Sequence, residues 1–175
     1  MKTRLCVLAV TALVIWGLKR HYADARADDL WWILTPTTRV VGAMTGTAFV
    51  AVPSEGYVSH ERLFVIEKSC AGINFQAAAF GMLVIALLHR VGSRLSGLRV
   101  LAASLLASYG AAILVNAARI TIAMWLVDRP SAIWLLTPAQ VHRLEGIVVY
   151  FAGLVLLYEL ARRLERGAGL SGSTS

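Results

Sequence analysis

The chain has 175 residues, of which 58% are hydrophobic and 15% are charged, and its mean hydropathy is +0.67. A soluble domain of this length needs a more polar surface, so the composition excludes an ordinary soluble protein and indicates an integral membrane protein. The net charge of +7 does not indicate a nucleic-acid partner, because Lys and Arg lie mostly at the ends of apolar blocks, where they anchor helices in the bilayer.

Four apolar blocks are long enough to cross a membrane as helices, with snorkelling Lys and Arg making up their length: residues 5–18, 73–88, 100–119 and 146–161. The helical pattern of the third block continues to Val127. The pattern predicts an all-α membrane protein of about four transmembrane helices. Residues 1–166 form its single membrane domain, and the Gly/Ser-rich residues 167–175 form a disordered tail.

The first block also resembles a secretory signal peptide, with Lys2 and Arg4 before it and a small-residue box at residues 23–25. The basic residues at 19–21 lie between the apolar stretch and that box, where a signal peptidase rarely tolerates them. We therefore expect a retained membrane anchor.

Orientation follows from the distribution of charge. With the N-terminus inside, the inner segments carry eight Lys and Arg against two acids, and the outer segments carry nine against eight. The short basic loop at residues 90–99 is the clearest inner segment under the positive-inside rule. Both termini are therefore predicted to face the cytoplasm, in an inner (plasma) membrane.

The first outer segment contains more than a linker. An aromatic cluster at residues 30–34 is typical of a membrane interface. Further on, residues 49–52 and 63–66 flank a loose turn at residues 53–57, which predicts an extracytoplasmic β-hairpin before the second span. The second arm of this hairpin leads directly to Cys70.

Cys70 is the first candidate for chemistry. Cys6 lies near the opposite membrane face, on the order of 20 Å away, so the two cysteines are too far apart for a disulfide. A thiol at the start of a helix is favoured as a reactive thiolate, and Gly72 would let a substrate backbone approach closely. From Cys70 alone, however, a buried structural cysteine is the more common outcome.

Two further groups are predicted at the same outer depth. Arg119, with Asn116 one turn before it, is costly among apolar residues unless it faces a cavity, where it would stabilise a thiolate or an oxyanion. The alternative is a snorkelling anchor. His142 would act as general acid or base, with Glu145 orienting it or pairing with Arg143 or Arg119; the alternative is a solvated surface histidine.

No metal or other cofactor is predicted. His60 and Glu61 begin a zinc-binding HExxH pattern, but position 64 is Phe, and the four histidines have no metal-ligand spacing. A Cys–His pair assisted by Arg is instead sufficient for thiol-based acyl transfer.

Three short motifs occur in one order: Ser-Cys-Ala-Gly-Ile-Asn-Phe at 69–75, Asn-Ala-Ala-Arg at 116–119 and His-Arg-Leu-Glu-Gly at 142–146. On these motifs the chain resembles the exosortase/archaeosortase family of membrane transpeptidases, close to the exosortase K type. The resemblance implies that Cys70 is the nucleophile, that Arg119 stabilises the intermediate and that His142 handles protons. The motifs also contain the supporting residues Gly72, Asn74, Asn116 and Glu145.

The resemblance further implies membrane-anchored protein substrates that carry a C-terminal sorting signal, namely a short motif, a transmembrane helix and a basic cluster. Cleavage would pass through a thioacyl intermediate to an unknown acceptor. Two alternatives stay open: a non-enzymatic membrane scaffold or assembly factor, with Arg119 and His142 holding helices together, and, less favoured, a small transporter, whose polar site would lie near the midplane.

Overall fold

In this computed structural model the backbone is described for residues 1–127 and 138–171, and it is mostly helical. Within these residues it forms the helices α1 (Lys2–Asp24), α2 (Trp31–Thr45), α3 (Ile73–Leu87), α4 (Arg94–Val127) and α5 (Pro138–Ser171). Between α2 and α3 along the chain lies an antiparallel sheet of the strands β1 (Val50–Val52), β2 (Gly56–Ser59) and β3 (Phe64–Ile66), in that order.

Four helices in the described part of the chain are long and apolar enough to cross a membrane: Lys2–Asp24, Lys68–Arg90, Arg94–Leu126 and Arg143–Arg166. Each contains one of the predicted spans, so the prediction of a four-helix membrane protein is confirmed to that extent. The span of α3 is 56% buried, against 11%, 22% and 17% for the others. Helix α3 is therefore the central helix, and the other three expose most of their apolar surface.

Helix α2 begins within the aromatic cluster and continues to Thr45. The sequence predicted that this cluster lies at a membrane interface but did not predict a helix there. Pro36 lies inside α2 and cannot donate to the carbonyl of Trp32, four residues earlier. The hydroxyl of Tyr109, on α4, donates to that carbonyl at 2.5 Å, and the two rings stack at 5.9 Å. A tertiary contact thus satisfies the acceptor that Pro36 leaves open.

The sheet differs from the single hairpin predicted around residues 53–57. Strand β1 pairs with β2, with Ala51 opposite Tyr57, and β2 pairs with β3, with Tyr57 opposite Ile66. The two predicted arms therefore do not pair with each other. The turn is shorter than expected, and the residues after it form the central strand.

Two apolar clusters hold the bundle. One lies where α2, β3 and the first half of α3 meet α4, and includes Leu34, Ile66 and Ile120. The other joins α1 to the far end of α3 and includes Val7 and Phe80. The tail predicted at 167–175 begins within α5, whose backbone is described to Ser171, and residues 172–175 lie outside the described residues, so its disorder stays a prediction.

Candidate functional site

Cys70 ends a short 3-10 turn, Lys68–Cys70, which connects β3 to α3. Its backbone N–H donates to the carbonyl of Glu67 at 2.9 Å, and the N–H of Ala71 donates to that of Lys68 at 3.0 Å. Cys70 therefore lies three residues before the first residue of α3. The sequence placed the thiol at the helix terminus itself, where the dipole acts most strongly, but the turn separates it from the first helical residues.

The thiol of Cys70 is free and partly buried, whereas that of Cys6 is free and exposed. Its sulfur lies 3.8 Å from the hydroxyl oxygen of Ser69, which in turn donates to Glu67 Oε1 at 2.8 Å. The neighbouring Lys68 donates to the carbonyl of Ala23 at 3.1 Å, which ties this turn to the end of α1.

Asn116 of α4 fixes the turn from the other side. It is 1% exposed, and its Nδ2 donates to the backbone carbonyl of Cys70. Gly72 is in the left-handed region, with φ of +67°, and a Cβ there would lie 3.1 Å from Asn116 Cγ. On this side the space that Gly72 leaves open is filled by Asn116, whereas the sequence assigned that space to a substrate.

Arg119 follows Asn116 by one turn and faces α5. Its Nε lies 3.9 Å from Glu145 Oε2, and the two side chains are only 13% and 6% exposed. A Cβ on Gly146 would lie 3.0 Å from the same Nε, so the glycine lets the guanidinium lie against the α5 backbone. Arg119 is therefore held inside the bundle, and Arg119 is one of the three partners that the sequence offered Glu145.

Tyr150 of α5, which the sequence did not single out, joins these groups. Its hydroxyl donates to Asn116 Oδ1 at 2.8 Å and accepts from Arg119 Nη1 at 3.4 Å. The guanidinium carbon of Arg119 lies 5.3 Å from the centre of the Tyr150 ring, a cation–π distance. The ring also lies 5.5 Å from that of Phe75 on α3.

A cavity of about 300 Å³ opens beside the turn. It is large enough for a side chain or two of a peptide, and it has both polar and apolar walls. The cavity contains two arginines and the first residues of α3, whose backbone N–H groups have no earlier helical carbonyl to bond. Its lining residues are Tyr22, Ser69, Gly72, Ile73, Asn74, Arg119, Arg143, Gly146, Ile147 and Tyr150.

The predicted site residues thus fall into three groups. Gly72, Asn74 and Arg119 line the cavity. Along the chain, Cys70 lies between the lining residues Ser69 and Gly72. Asn116 contacts Cys70, and Glu145 contacts Arg119. His142 belongs to α5, but its side chain lies outside the described part of the structure. Among the residues whose side chains are described, no group of three His, Cys, Asp or Glu is placed to hold a metal ion.

Tyr22 and Tyr150 line the cavity but were not predicted from the sequence, and Arg143 was predicted only as a possible partner of Glu145. A signal for Tyr150 was present, since it lies four residues after Gly146 and therefore on the same helical face. The sequence gives no comparable signal for Tyr22, because it does not show that the end of α1 lies close to the Cys70 turn.

No protein-family model matches this chain, and no curated protein and no solved structure matches it.

Proposed function

We propose that this membrane protein is a cysteine transpeptidase or protease that cleaves the C-terminal sorting signals of exported proteins. The cysteine is the nucleophile, and the cleaved protein passes to an acceptor through a thioacyl intermediate. The substrates are membrane-anchored proteins, and no cofactor takes part. The three sequence motifs and the geometry around Cys70 support this proposal.

One observation carries it. The cysteine lies on a hydrogen-bonded turn whose carbonyl is held by the buried amide of Asn116, next to a cavity that contains Arg119. A nucleophile is useful only if its backbone is fixed relative to the groups that stabilise the developing charge. A structural cysteine packed in an apolar core needs neither a fixed turn nor an adjacent cavity with two arginines.

The chemistry balances with the groups that the chain supplies. The thiolate of Cys70 attacks the scissile carbonyl, a C–S bond forms, and the oxyanion is stabilised by Arg119 and by the N–H groups at the start of α3. The C–N bond then breaks, and the leaving amine takes a proton from His142, the role implied by the family resemblance. The acceptor attacks the thioester and gives its proton to His142, the C–S bond breaks, and the thiolate and the protonated histidine are restored.

The proposed orientation puts this site on the outer face of an inner (plasma) membrane, with both termini in the cytoplasm. An exported substrate whose C-terminal helix remains in the bilayer would then present its sorting signal at the depth of Cys70. The exposed apolar surfaces of α1, α4 and α5 would face lipid, or the helix of the substrate.

The test is processing of a co-expressed exported protein that carries a C-terminal sorting signal. We expect Cys70→Ala to lower processing by about 10³-fold or more, because no other group replaces the nucleophile. Cys6→Ala is the matched control and should process normally. A thioester adduct located at Cys70 by mass spectrometry would support the proposal, and normal processing by Cys70→Ala would end it.

A non-enzymatic scaffold is the second candidate, and one observation favours it. The contacts of Tyr150, Arg119 and Asn116 join α4, α5 and the Cys70 turn, as polar residues that hold membrane helices together do. A scaffold predicts that Cys70→Ser is silent, while changes at Asn116 or Arg119 lower the amount of folded protein. The transpeptidase predicts that Cys70→Ser abolishes processing at an unchanged protein level.

A further inference from the structure

Four groups around Cys70 form a single directed chain of hydrogen bonds. Arg119 donates to the hydroxyl oxygen of Tyr150, that hydroxyl donates to the amide oxygen of Asn116, and the amide nitrogen of Asn116 donates to the carbonyl of Cys70. Tyr150 and Asn116 each accept on one side and donate on the other, so the bonds polarise one another in the same direction. Tyr150 lies between the cation and the amide in this chain.

We propose that Tyr150 is a positioning residue of the site, which sets the orientation of the Asn116 amide and holds Arg119 beside the Cys70 turn. The inference rests on the proposed function, because positioning matters only if Cys70 reacts. Tyr150 acts through Asn116 and Arg119 and forms no bond with the substrate in this role.

The hydroxyl of Tyr150 determines which way the Asn116 amide points. An amide has one accepting and one donating end, and the two are similar in shape. The hydroxyl bonds at 2.8 Å to the accepting end, which leaves the donating end for the carbonyl of Cys70. Without the hydroxyl, the buried amide loses one of the two contacts that fix its rotation.

The ring of Tyr150 has a separate effect on Arg119. The guanidinium carbon of Arg119 lies 5.3 Å from the centre of the Tyr150 ring. The same ring also contacts the Phe75 ring, with the two centres 5.5 Å apart. Because Phe75 is on α3 and Arg119 is on α4, the ring fixes the cation relative to the helix that follows the nucleophile. Replacing Tyr by Phe should keep this packing and remove only the hydroxyl.

Tyr158 provides the matched control. It lies two turns further along α5, and its ring also carries an arginine, Arg162, at 5.7 Å. Tyr158 is 38% exposed and is not among the residues that line the cavity. Tyr150→Phe and Tyr158→Phe therefore remove the same atom from the same kind of residue on the same helix, once at the site and once away from it.

The first measurement needs no substrate. Hydrogen exchange of the full-length protein in detergent would follow residues 67–73, where the N–H groups of Cys70 and Ala71 are bonded within the turn. We expect Tyr150→Phe to speed this exchange about fivefold, the effect of one lost hydrogen bond, and Tyr158→Phe to leave it unchanged. Wild-type exchange in Tyr150→Phe would overturn the proposal.

A double-mutant cycle separates positioning from general stability. Asn116→Ala should speed exchange in the same segment, and Tyr150→Phe should add nothing in that background if Tyr150 acts through Asn116. A further, additive increase in the double variant would overturn the proposal. If Tyr150→Phe does not accumulate, Asn116→Ala alone still tests the proposal. Exchange at the wild-type rate in Asn116→Ala would show that the amide does not hold the turn and would overturn the proposal.

The second measurement is processing of the sorting-signal substrate. We expect Tyr150→Phe to lower the rate about tenfold, because the hydroxyl no longer bonds Asn116 and Arg119 and the turn is held less firmly, and Tyr158→Phe to leave the rate unchanged. Failure of the wild-type protein to process any signal-bearing substrate would overturn the proposed function. An effect on processing equal in the two tyrosine variants would overturn only the role of Tyr150.

Discussion

Gly72 and Asn116 depend on each other, although they belong to different parts of the chain. The left-handed backbone at Gly72 turns the chain from the Cys70 turn into α3, and the missing Cβ leaves room for the Asn116 amide. That amide in turn holds the carbonyl of Cys70. A side chain at position 72 would therefore have two effects, one on its own backbone and one on the contact that fixes the Cys70 turn.

Gly46 allows the two effects at Gly72 to be measured separately. It ends α2 with φ of +68°, against +67° at Gly72, but a Cβ at Gly46 would meet no atom within 4 Å beyond its chain neighbours. We expect Gly46→Ala to cost about 1 kcal/mol of unfolding free energy, the backbone effect alone. Gly72→Ala should cost more, because Asn116 must also move, and should slow processing.

The measurement is the thermal unfolding midpoint in detergent, with exchange of residues 67–73 as the local readout. Equal losses of stability in Gly72→Ala and Gly46→Ala, with unchanged exchange around Cys70, would show that Asn116 does not hold the turn.

Among the secondary-structure elements, the long apolar helices were predictable and the segment between them was not. Hydropathy located the four spans because lipid imposes one requirement on about 20 consecutive residues. Helix α2 depends on Tyr109, far along the chain on α4, to satisfy a carbonyl beside Pro36, and no local pattern contains that information. The strands of the sheet have only three or four residues each, too few for a clear alternation.

The sequence predicted that the site residues lie at the same end of the helices, but not which of their side chains contact one another. Placing Cys70, Asn116, Arg119 and Glu145 at one end of the bundle required only the helix boundaries. Which faces of α4 and α5 meet depends on side-chain packing, and the hydropathy of a helix that is apolar on all sides does not show its rotation. Tyr150 shares a face of α5 with Gly146, but the sequence does not show that this face meets Asn116 and Arg119.

The contact of α5 with α4 depends on a glycine. A Cβ at Gly153 would lie 2.8 Å from both γ carbons of Val115 and 3.2 Å from the Phe75 ring. Valine has little rotational freedom in a helix, so it cannot turn aside. Gly153→Ala should therefore push α5 outward and cost about 1–3 kcal/mol, the usual effect of overpacking.

Gly110→Ala is the matched control for Gly153→Ala. Gly110 lies within α4, and a Cβ there would meet no atom within 4 Å outside the backbone of its own helix and its chain neighbours. We expect this change to be neutral or slightly stabilising, because alanine is the better helix former. The readout is the thermal unfolding midpoint, and a loss of stability as large in Gly110→Ala as in Gly153→Ala would contradict close packing at position 153.

For the molecule as a whole, the two ends of α3 allow the orientation of the protein in the membrane to be tested. Cys70 precedes α3, and Gly92 lies in the exposed loop after it, beyond the helix end at Leu87. The helix between them has 15 residues. At the usual rise per residue it is about 22 Å long, so the two positions lie near opposite ends of the central helix. The excess of basic residues predicts that the Gly92 loop lies in the cytoplasm and that Cys70 lies outside.

Labelling with a membrane-impermeant maleimide tests this orientation. In a Cys6→Ala background, Cys70 should react in intact spheroplasts, because it lies beside the open cavity. In a Cys6→Ala, Cys70→Ala background, Gly92→Cys should react only after the membrane is permeabilised. The substitution at Gly92 has room, since a Cβ there would meet no atom within 4 Å beyond its chain neighbours. The reverse pattern would put the site on the cytoplasmic side, where an exported substrate could not reach it, and would exclude the proposed sorting function even if Cys70 proved reactive.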